Sequence, residues 1–348
     1  MIEQHFGESA ELSIGIEEEL MILDAETLEL APRSQLLVEE AAKRALPGEV
    51  KLELLAPIVE ITSGVAASVP EAIETLRTLR GALAEIAGQN GLLIAAAGSH
   101  PFSKPEEQLV ADHPRYQEFV HWAGVSARRQ AVNGLHVHVG MPSAEACMRT
   151  LECVLPWLPL LLAVSANSPY LAGEETGLAS NRAEILAQLP RAAGPPAFRS
   201  YAEWEELVER LVRIGVMEDH TRIWWDVRPH PTFGTLEVRV PDQPTELAVT
   251  ERLAACLHGL CATALDSEPR PYDPAGRALY AQNRWSALRF GPRAELVHPD
   301  GDRVVPAAAL AAEAGLDGTR CEGDRQLEIG RAHGLRAVCE DLVARLRA

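Results

Sequence analysis

Strict alternation of apolar and polar residues marks several short stretches of the chain, and helical periodicity fills much of the space between them. In residues 13–23, Ile14, Ile16, Leu20 and Ile22 fall on one side and Ser13, Gly15, Glu17, Glu19 and Met21 on the other, which predicts a half-buried strand. Residues 51–62 predict a second strand region, with Pro57 marking a bulge or an edge. Ser68-Val69-Pro70 predicts a helix start, followed by the apolar stripe Ile73, Leu76, Leu79, Leu83 and Ile86 and a stop around Gly88 and Gly91. Residues 92–97 and 134–140 read as further strands, and Ser143 is placed to cap the helix after them.

The second half is less regular. Residues 165–200 are rich in Gly, Pro, Asn and Ser and read as a long ordered loop, a length usually associated with function or disorder. Residues 201–214 form an amphipathic helical pattern. Residues 222–228 and 235–240 read as two strands joined across Pro229 to Gly234 in a hairpin-like link. Residues 245–265 predict a helix with Leu247, Leu253, Leu257 and Leu260 on one side. The remainder reads as mostly helical, ending in a basic helix over 331–348 with a solvated face. No repeat and no obvious linker divides the chain, so one domain over 1–348 is expected, with the chemistry in 13–290 and a helical part over 291–348.

Composition narrows the classes. Of 348 residues, 50 are acidic and 32 basic, a formal charge of −18 that repels nucleic acid. Only Lys43, Lys51 and Lys104 are lysines, and none completes a Walker A motif, which excludes a P-loop nucleotide site. The longest apolar stretch, 153–166, is shorter than the ~20 residues a bilayer requires, and no signal peptide is read at the start. The six cysteines form no C-x-x-C pair and are expected to be free thiols in a cytoplasmic protein.

The polar strand faces carry the chemistry. Glu17 and Glu19 share a face, as do His136 and His138, Glu237 and Arg239 with Thr235, and Trp224, Asp226 and Arg228. Each alone fits a solvated sheet surface. Together they draw on a narrow set of Glu, His, Asp and Arg. Glu53 and Glu60 add two carboxylates among apolar residues, where charge is costly unless paired or bound to metal. Their spacing of seven puts them on opposite faces of an unbroken strand, and Pro57 is the residue that could break it. Glu18 falls on the apolar face, either paired with a buried arginine or marking an imperfect register. Carboxylates with one or two histidines suit Mg²⁺ or Mn²⁺ better than zinc, and arginine supplies a bidentate clamp for phosphate or carboxylate.

Gly15-Ile16-Glu17-Glu18-Glu19, Asn133-Gly134-Leu135-His136-Val137-His138-Val139-Gly140 and Trp224-Trp225-Asp226-Val227-Arg228-Pro229, followed by Gly234-Thr235-Leu236-Glu237-Val238-Arg239-Val240-Pro241-Asp242, resemble the glutamate–cysteine ligase type 2 family. Ser165-Ala166-Asn167-Ser168-Pro169-Tyr170, Thr176 to Arg182, and Asn283-Arg284-Trp285 resemble further stretches of it, in order over about 10–290. The resemblance implies an α+β, glutamine-synthetase-like fold, in which a curved antiparallel sheet forms a funnel with helices outside. It implies ATP-dependent amide formation through an acyl phosphate, with Mg²⁺ or Mn²⁺. By motif position it implies Glu17, Glu19, Glu53, Glu60, His136 and Glu237 as metal ligands and Arg239 as the charge stabiliser beside Glu237. His138, Arg228 and Arg284 are implied as nucleotide contacts and Arg182 as a substrate contact.

Two other readings stay open at the level of sequence. One is a metal-dependent amidohydrolase holding zinc on His136 and His138; the other is a nucleotide- or metal-binding protein without turnover. The expected partners are a small carboxylic acid and an amine, with neither nucleic acid nor membrane, and with a homodimer as one form of assembly.

Overall fold

The computed structural model describes residues 2–346. Its centre is a seven-stranded sheet built from β1 (Ile14–Asp24), β2 (Glu49–Leu52), β3 (Ile58–Thr62), β4 (Leu92–Ala95), β5 (Leu135–Gly140), β6 (Val227–His230) and β7 (Thr235–Val238). The order is β6-β7-β5-β1-β3-β2, with β4 pairing the far end of β1, and every pairing is antiparallel. The alternation predicted for β1 is met. Ile14, Ile16, Leu20 and Ile22 join Val59, Ile61, Leu135, Val137, Val139, Leu236 and Val238 in one core. Helices Val69–Gln89, Ala144–Val154 and Leu247–Leu265 bury their apolar stripes in that same core. Ser68 and Ser143 cap as expected, accepting from the Glu71 and Ala146 amides.

The other face of β1 changes character along its length. Near Glu17 and Glu19 it is charged. From Met21 onward it is apolar, and Met21 and Leu23 pack with Ala95, Ala97, Val338, Cys339 and Leu342. The expected basic terminal helix is therefore corrected. It is two helices, Glu322–His333 and Leu335–Arg345, broken at Gly334, and the second buries its apolar side. The last two residues of that expectation lie outside the described residues. The part after 290 also holds a small hairpin, Glu295–Val297 with Val304–Pro306.

Three other expectations change. Residues 51–62 are not one bulged strand: β2 and β3 form a hairpin with Lys51 opposite Glu60, and Glu53 sits in its turn. Residues 222–228 split at Asp226, because Trp224–Trp225 pairs with Ala192–Ala193 while β6 pairs with β7. Residues 165–200 contain the short helix Asn181–Leu186, capped by Ser180. Buried Asp242 orders this segment by accepting from the Asn167 amide at 2.8 Å and from the Ser168 and Ser180 hydroxyls, each at 2.7 Å. Residues Ala144–Ser165 run as one helical stretch of 22 residues, long and apolar enough to cross a bilayer, but 72% of its apolar window is buried inside the fold. All six cysteines are free.

Candidate active site

The register of the sheet aligns the charged residues into rows. Lys51, Glu60 and Glu19 are cross-strand neighbours over β2, β3 and β1. Thr62, Glu17 and His136 form the next row over β3, β1 and β5. Gly15, His138, Glu237 and Arg228 form a third over β1, β5, β7 and β6. All these side chains stand on the face opposite the main core, because the pleat alternates sides strictly.

Glu17, Glu60 and His136 bring one ligating atom each within 4.8 Å of one another, and so do Glu19, Glu53 and Glu60. The hairpin turn resolves the odd spacing of Glu53 and Glu60, since the chain reverses between them. His136 places Nδ1 3.2 Å from Glu17 and Nε2 3.7 Å from Glu19. The Gly134 amide donates to Glu19 at 2.5 Å. Lys51 stands at the edge, 4.0 Å from Glu60 and 3.0 Å from Glu49.

So many carboxylates in one place oppose one another's ionisation. Burial first, then the charge of Glu53, raises Glu19 to about 8. Burial and the charges of Glu17, Glu53 and Glu19 push Glu60 well above the usual carboxyl range, and burial raises Glu53. Glu17 goes the other way: burial would raise it, but its hydrogen bond with His136 and the nearby imidazole of His138 outweigh that and hold it well below its ordinary value. Burial and Arg239 lower His136 to about 4, so it stays a neutral imidazole, the form that binds metal. Hard oxygen donors with one neutral imidazole suit Mg²⁺ or Mn²⁺, and two overlapping triads that share Glu60 have room for more than one ion.

Glu237 belongs to a different arrangement from the one its motif position implies. It is absent from both triads and is held between two arginines. Arg228 donates Nε to one of its oxygens at 2.6 Å and Nη2 to the other at 3.2 Å, and Arg239 reaches that second oxygen through Nη1. Burial would raise its carboxyl, but Arg228 and Arg239 hold it well below the ordinary range. His138 lies between the two arrangements, with Nδ1 2.9 Å from the Thr235 hydroxyl and Nε2 3.6 Å from Glu17.

Two predicted contacts spend their hydrogen bonds on the scaffold and not on the cluster's carboxylates. Arg284 spends its guanidinium on Asp226, at 2.7 and 3.4 Å, and on the Ala183 carbonyl. Arg182 donates to the Arg239 and Val240 carbonyls at 2.9 and 3.2 Å. Gly134 makes room for it, since a Cβ there would stand 2.0 Å from Nη2. Asp226 in turn accepts the Arg239 amide through its own carbonyl at 2.8 Å. Both arginines thus hold the main chain that presents Arg239. The sequence reading overlooked Lys51, legible only once β2 is paired with β3, and Tyr116, whose hydroxyl donates to the Leu52 carbonyl at 2.8 Å beside the Glu53 turn. It also overlooked Phe233, stacked on His230 with ring centres 4.2 Å apart.

A cavity of about 690 Å³ opens beside the cluster, with Glu17, His138 and Thr235 from the sheet, Lys51 and Thr62 from the hairpin, and Phe233 among its walls. Two buried nitrogens, His138 Nε2 and Arg239 Nε, have no hydrogen-bond partner among the described residues. Buried polar atoms are normally satisfied, so unpaired ones in a charged site mark places for a ligand.

Comparison with known proteins finds relatives along nearly the whole chain. The sequence profile of glutamate–cysteine ligase family 2 matches residues 13–343. The Rubrobacter xylanophilus protein named "putative glutamate–cysteine ligase 2-3" is 39% identical over 312 residues, covering 90% of this chain and 85% of its own. A Herpetosiphon aurantiacus protein named "putative glutamate–cysteine ligase 2" is 37% identical over 303 residues, 86% of this chain and 78% of its own. At the level of fold, glutamate–cysteine ligase from Francisella tularensis, solved in complex with AMP, superposes with a TM-score of 0.72 at 15% identity, over 97% of this chain and 89% of that one. The α+β fold, an antiparallel sheet with helices packed outside, is thus the one observed and is shared with that structure. With the family's profile spanning nearly the whole sequence and its carboxylates, histidines and arginines gathered on one sheet face, this chain belongs to glutamate–cysteine ligase family 2.

Proposed function

We propose that the chain is an ATP-dependent carboxylate–amine ligase that works through an acyl phosphate, with glutamate as the first acid and cysteine as the first amine to test. The observation that carries the reading is the pair of carboxylate triads sharing Glu60 next to an arginine-clamped Glu237. Such an excess of buried negative charge suits divalent ions, which when bound would neutralise the carboxylates and draw in phosphate oxygens. Glu17, Glu60 and His136 would hold one ion and Glu19, Glu53 and Glu60 another. The 690 Å³ cavity would take the nucleotide, with Glu17 and Lys51 among the residues lining it. Arg239, fixed by Glu237 and by its own main-chain bonds and with Nε unpaired, would meet charge on the transferring phosphoryl group. The acid's carboxylate attacks the γ-phosphorus and releases ADP; the amine then attacks the acyl carbon, forming the C–N bond and releasing phosphate.

The zinc amidohydrolase reading gains no support. His136 and His138 face Glu17 rather than each other's partner ion, and the convergent ligands are mostly carboxylates. The test is ADP release over amino acids singly and in pairs, with Mg²⁺ or Mn²⁺ and with EDTA. Metal-dependent ADP release that needs both an acid and an amine is the expected result, and hydroxylamine should trap the acid as a hydroxamate. Amide hydrolysis without nucleotide, or no trapping with a substrate that turns over, would overturn the proposal.

A further inference from the structure

A second cavity, of about 350 Å³, shares no lining residue with the larger one. Phe119 and Trp122 of helix Pro114–Ala123 form one side, and Trp224, Val216 and Met217 contribute the rest of the apolar wall. Arg191 enters between them. Its guanidinium carbon stands 5.6 Å from the ring centres of both Trp122 and Trp224. Its Nε donates to the Arg222 carbonyl at 3.0 Å, and among the described residues no carboxylate pairs with it. In a chain with 50 acidic and 32 basic residues that is a conspicuous vacancy of charge.

The neighbours do not fill it. Glu218 is engaged by Arg222 at 2.8 Å, and Glu118 is exposed at the edge. Burial first, then the charge of Arg222, disfavours the Arg191 cation, so an arriving anion relieves a repulsion. Indole rings flanking a guanidinium hold it by cation–π attraction and leave its hydrogen-bonding edge for a carboxylate, while the ring faces suit an apolar body.

We propose that this cavity binds a small organic carboxylate with an aromatic or apolar body, the carboxylate on Arg191 and the body against Phe119, Trp122 and Trp224. The inference stands on these walls and is independent of the ligase reading. The test is calorimetric titration of the full chain with 3-phenylpropionate, using phenethylamine as the counterpart that lacks the carboxylate. Saturable binding is expected for the acid and none for the amine. Arg191→Gln should weaken it at least about tenfold, the loss of a charge-assisted pair. Trp122→Ala, at a side chain 52% exposed, should weaken it several-fold, and Glu60→Gln should leave it unchanged. Absence of saturable binding, equal binding of phenethylamine, undiminished affinity in both wall variants, or loss of binding in Glu60→Gln would each overturn the proposal.

Discussion

Three consecutive glutamates on β1 meet opposite surroundings. Glu18 points into the core and is completely partnered: Arg80 clamps it with two bonds of 2.7 Å, Thr250 donates at 2.7 Å and Gln243 at 3.1 Å. Arg80 also ties in the Thr245 and Leu346 carbonyls, so this pair joins β1 to the end of the chain. Glu17 and Glu19, one residue to either side, face Glu53, Glu60 and two histidines, with Lys51 at the rim. All five glutamates are largely withdrawn from water. Burial therefore does not separate a structural carboxylate from a ligand-binding one; completeness of pairing does. The protein supplies every partner of Glu18, whereas the charge of the cluster has to be met by protons or by ions from outside.

Breaking the structural side of this contrast should have the largest effect. Arg80→Leu leaves Glu18 buried without its cation and should cost about 3–5 kcal/mol in urea unfolding, and Arg80→Leu with Glu18→Leu should recover most of it. Recovery failing in the double variant would mean that Arg80 acts through its carbonyl contacts instead. On the other side, Glu60→Gln removes the carboxylate common to both triads. ADP formation should fall at least about a hundredfold, while the metal-free chain becomes more stable by roughly 1 kcal/mol or more, because one source of repulsion is gone. A variant that keeps wild-type turnover removes Glu60 from the site.

Acidity sharpens the contrast further. Glu19 at about 8 and Glu60 well above the ordinary range hold protons in the folded chain that the unfolded chain has released. Between about pH 7 and 8, above the titration of unfolded histidines, the metal-free fold should therefore lose stability as pH rises. Glu17 and Glu237, with lowered values, are ionised in both states there and add no slope. Mg²⁺ or Mn²⁺ at about a hundred times its dissociation constant should restore about 2.7 kcal/mol, and should raise the melting temperature more at pH 8 than at pH 7. A metal-free melting temperature that rises over this interval would contradict the proton count. The smallest effect is expected from Thr250→Val, which removes one bond to Glu18: about 1.5 kcal/mol in stability with ADP formation unchanged.

Much of the site was legible because strand periodicity is local. Alternation alone put Glu17 with Glu19, His136 with His138 and Glu237 with Arg239 on shared faces, and the same pattern flagged Glu18 as the odd residue, either paired with a buried arginine, as it is, or marking an imperfect register. Reasoning from spacing failed where the chain turns. Glu53 and Glu60 converge because residues between β2 and β3 reverse direction, and Asp226 and Arg228 diverge because the strand breaks between Trp225 and Val227. The arginines were the hardest to assign. A long side chain goes to whichever acceptor tertiary packing brings within reach, which is why Arg182 and Arg284 support the Arg239 main chain, directly or through Asp226, and donate to none of the cluster's carboxylates.

The sequence by itself determined the strands β1, β5 and β7, the polar face of each, and, through its ordered motifs, the family; pleat and helix repeat follow from covalent geometry and need only near neighbours along the chain. The tertiary structure alone decided which acids gather without cations and which are neutralised. Coulomb interactions and hydrogen bonds act over a few ångströms of space, and the distances that matter here, between Glu60 and Glu19 or Glu18 and Arg80, exist only after the sheet has paired and the helices have packed on it.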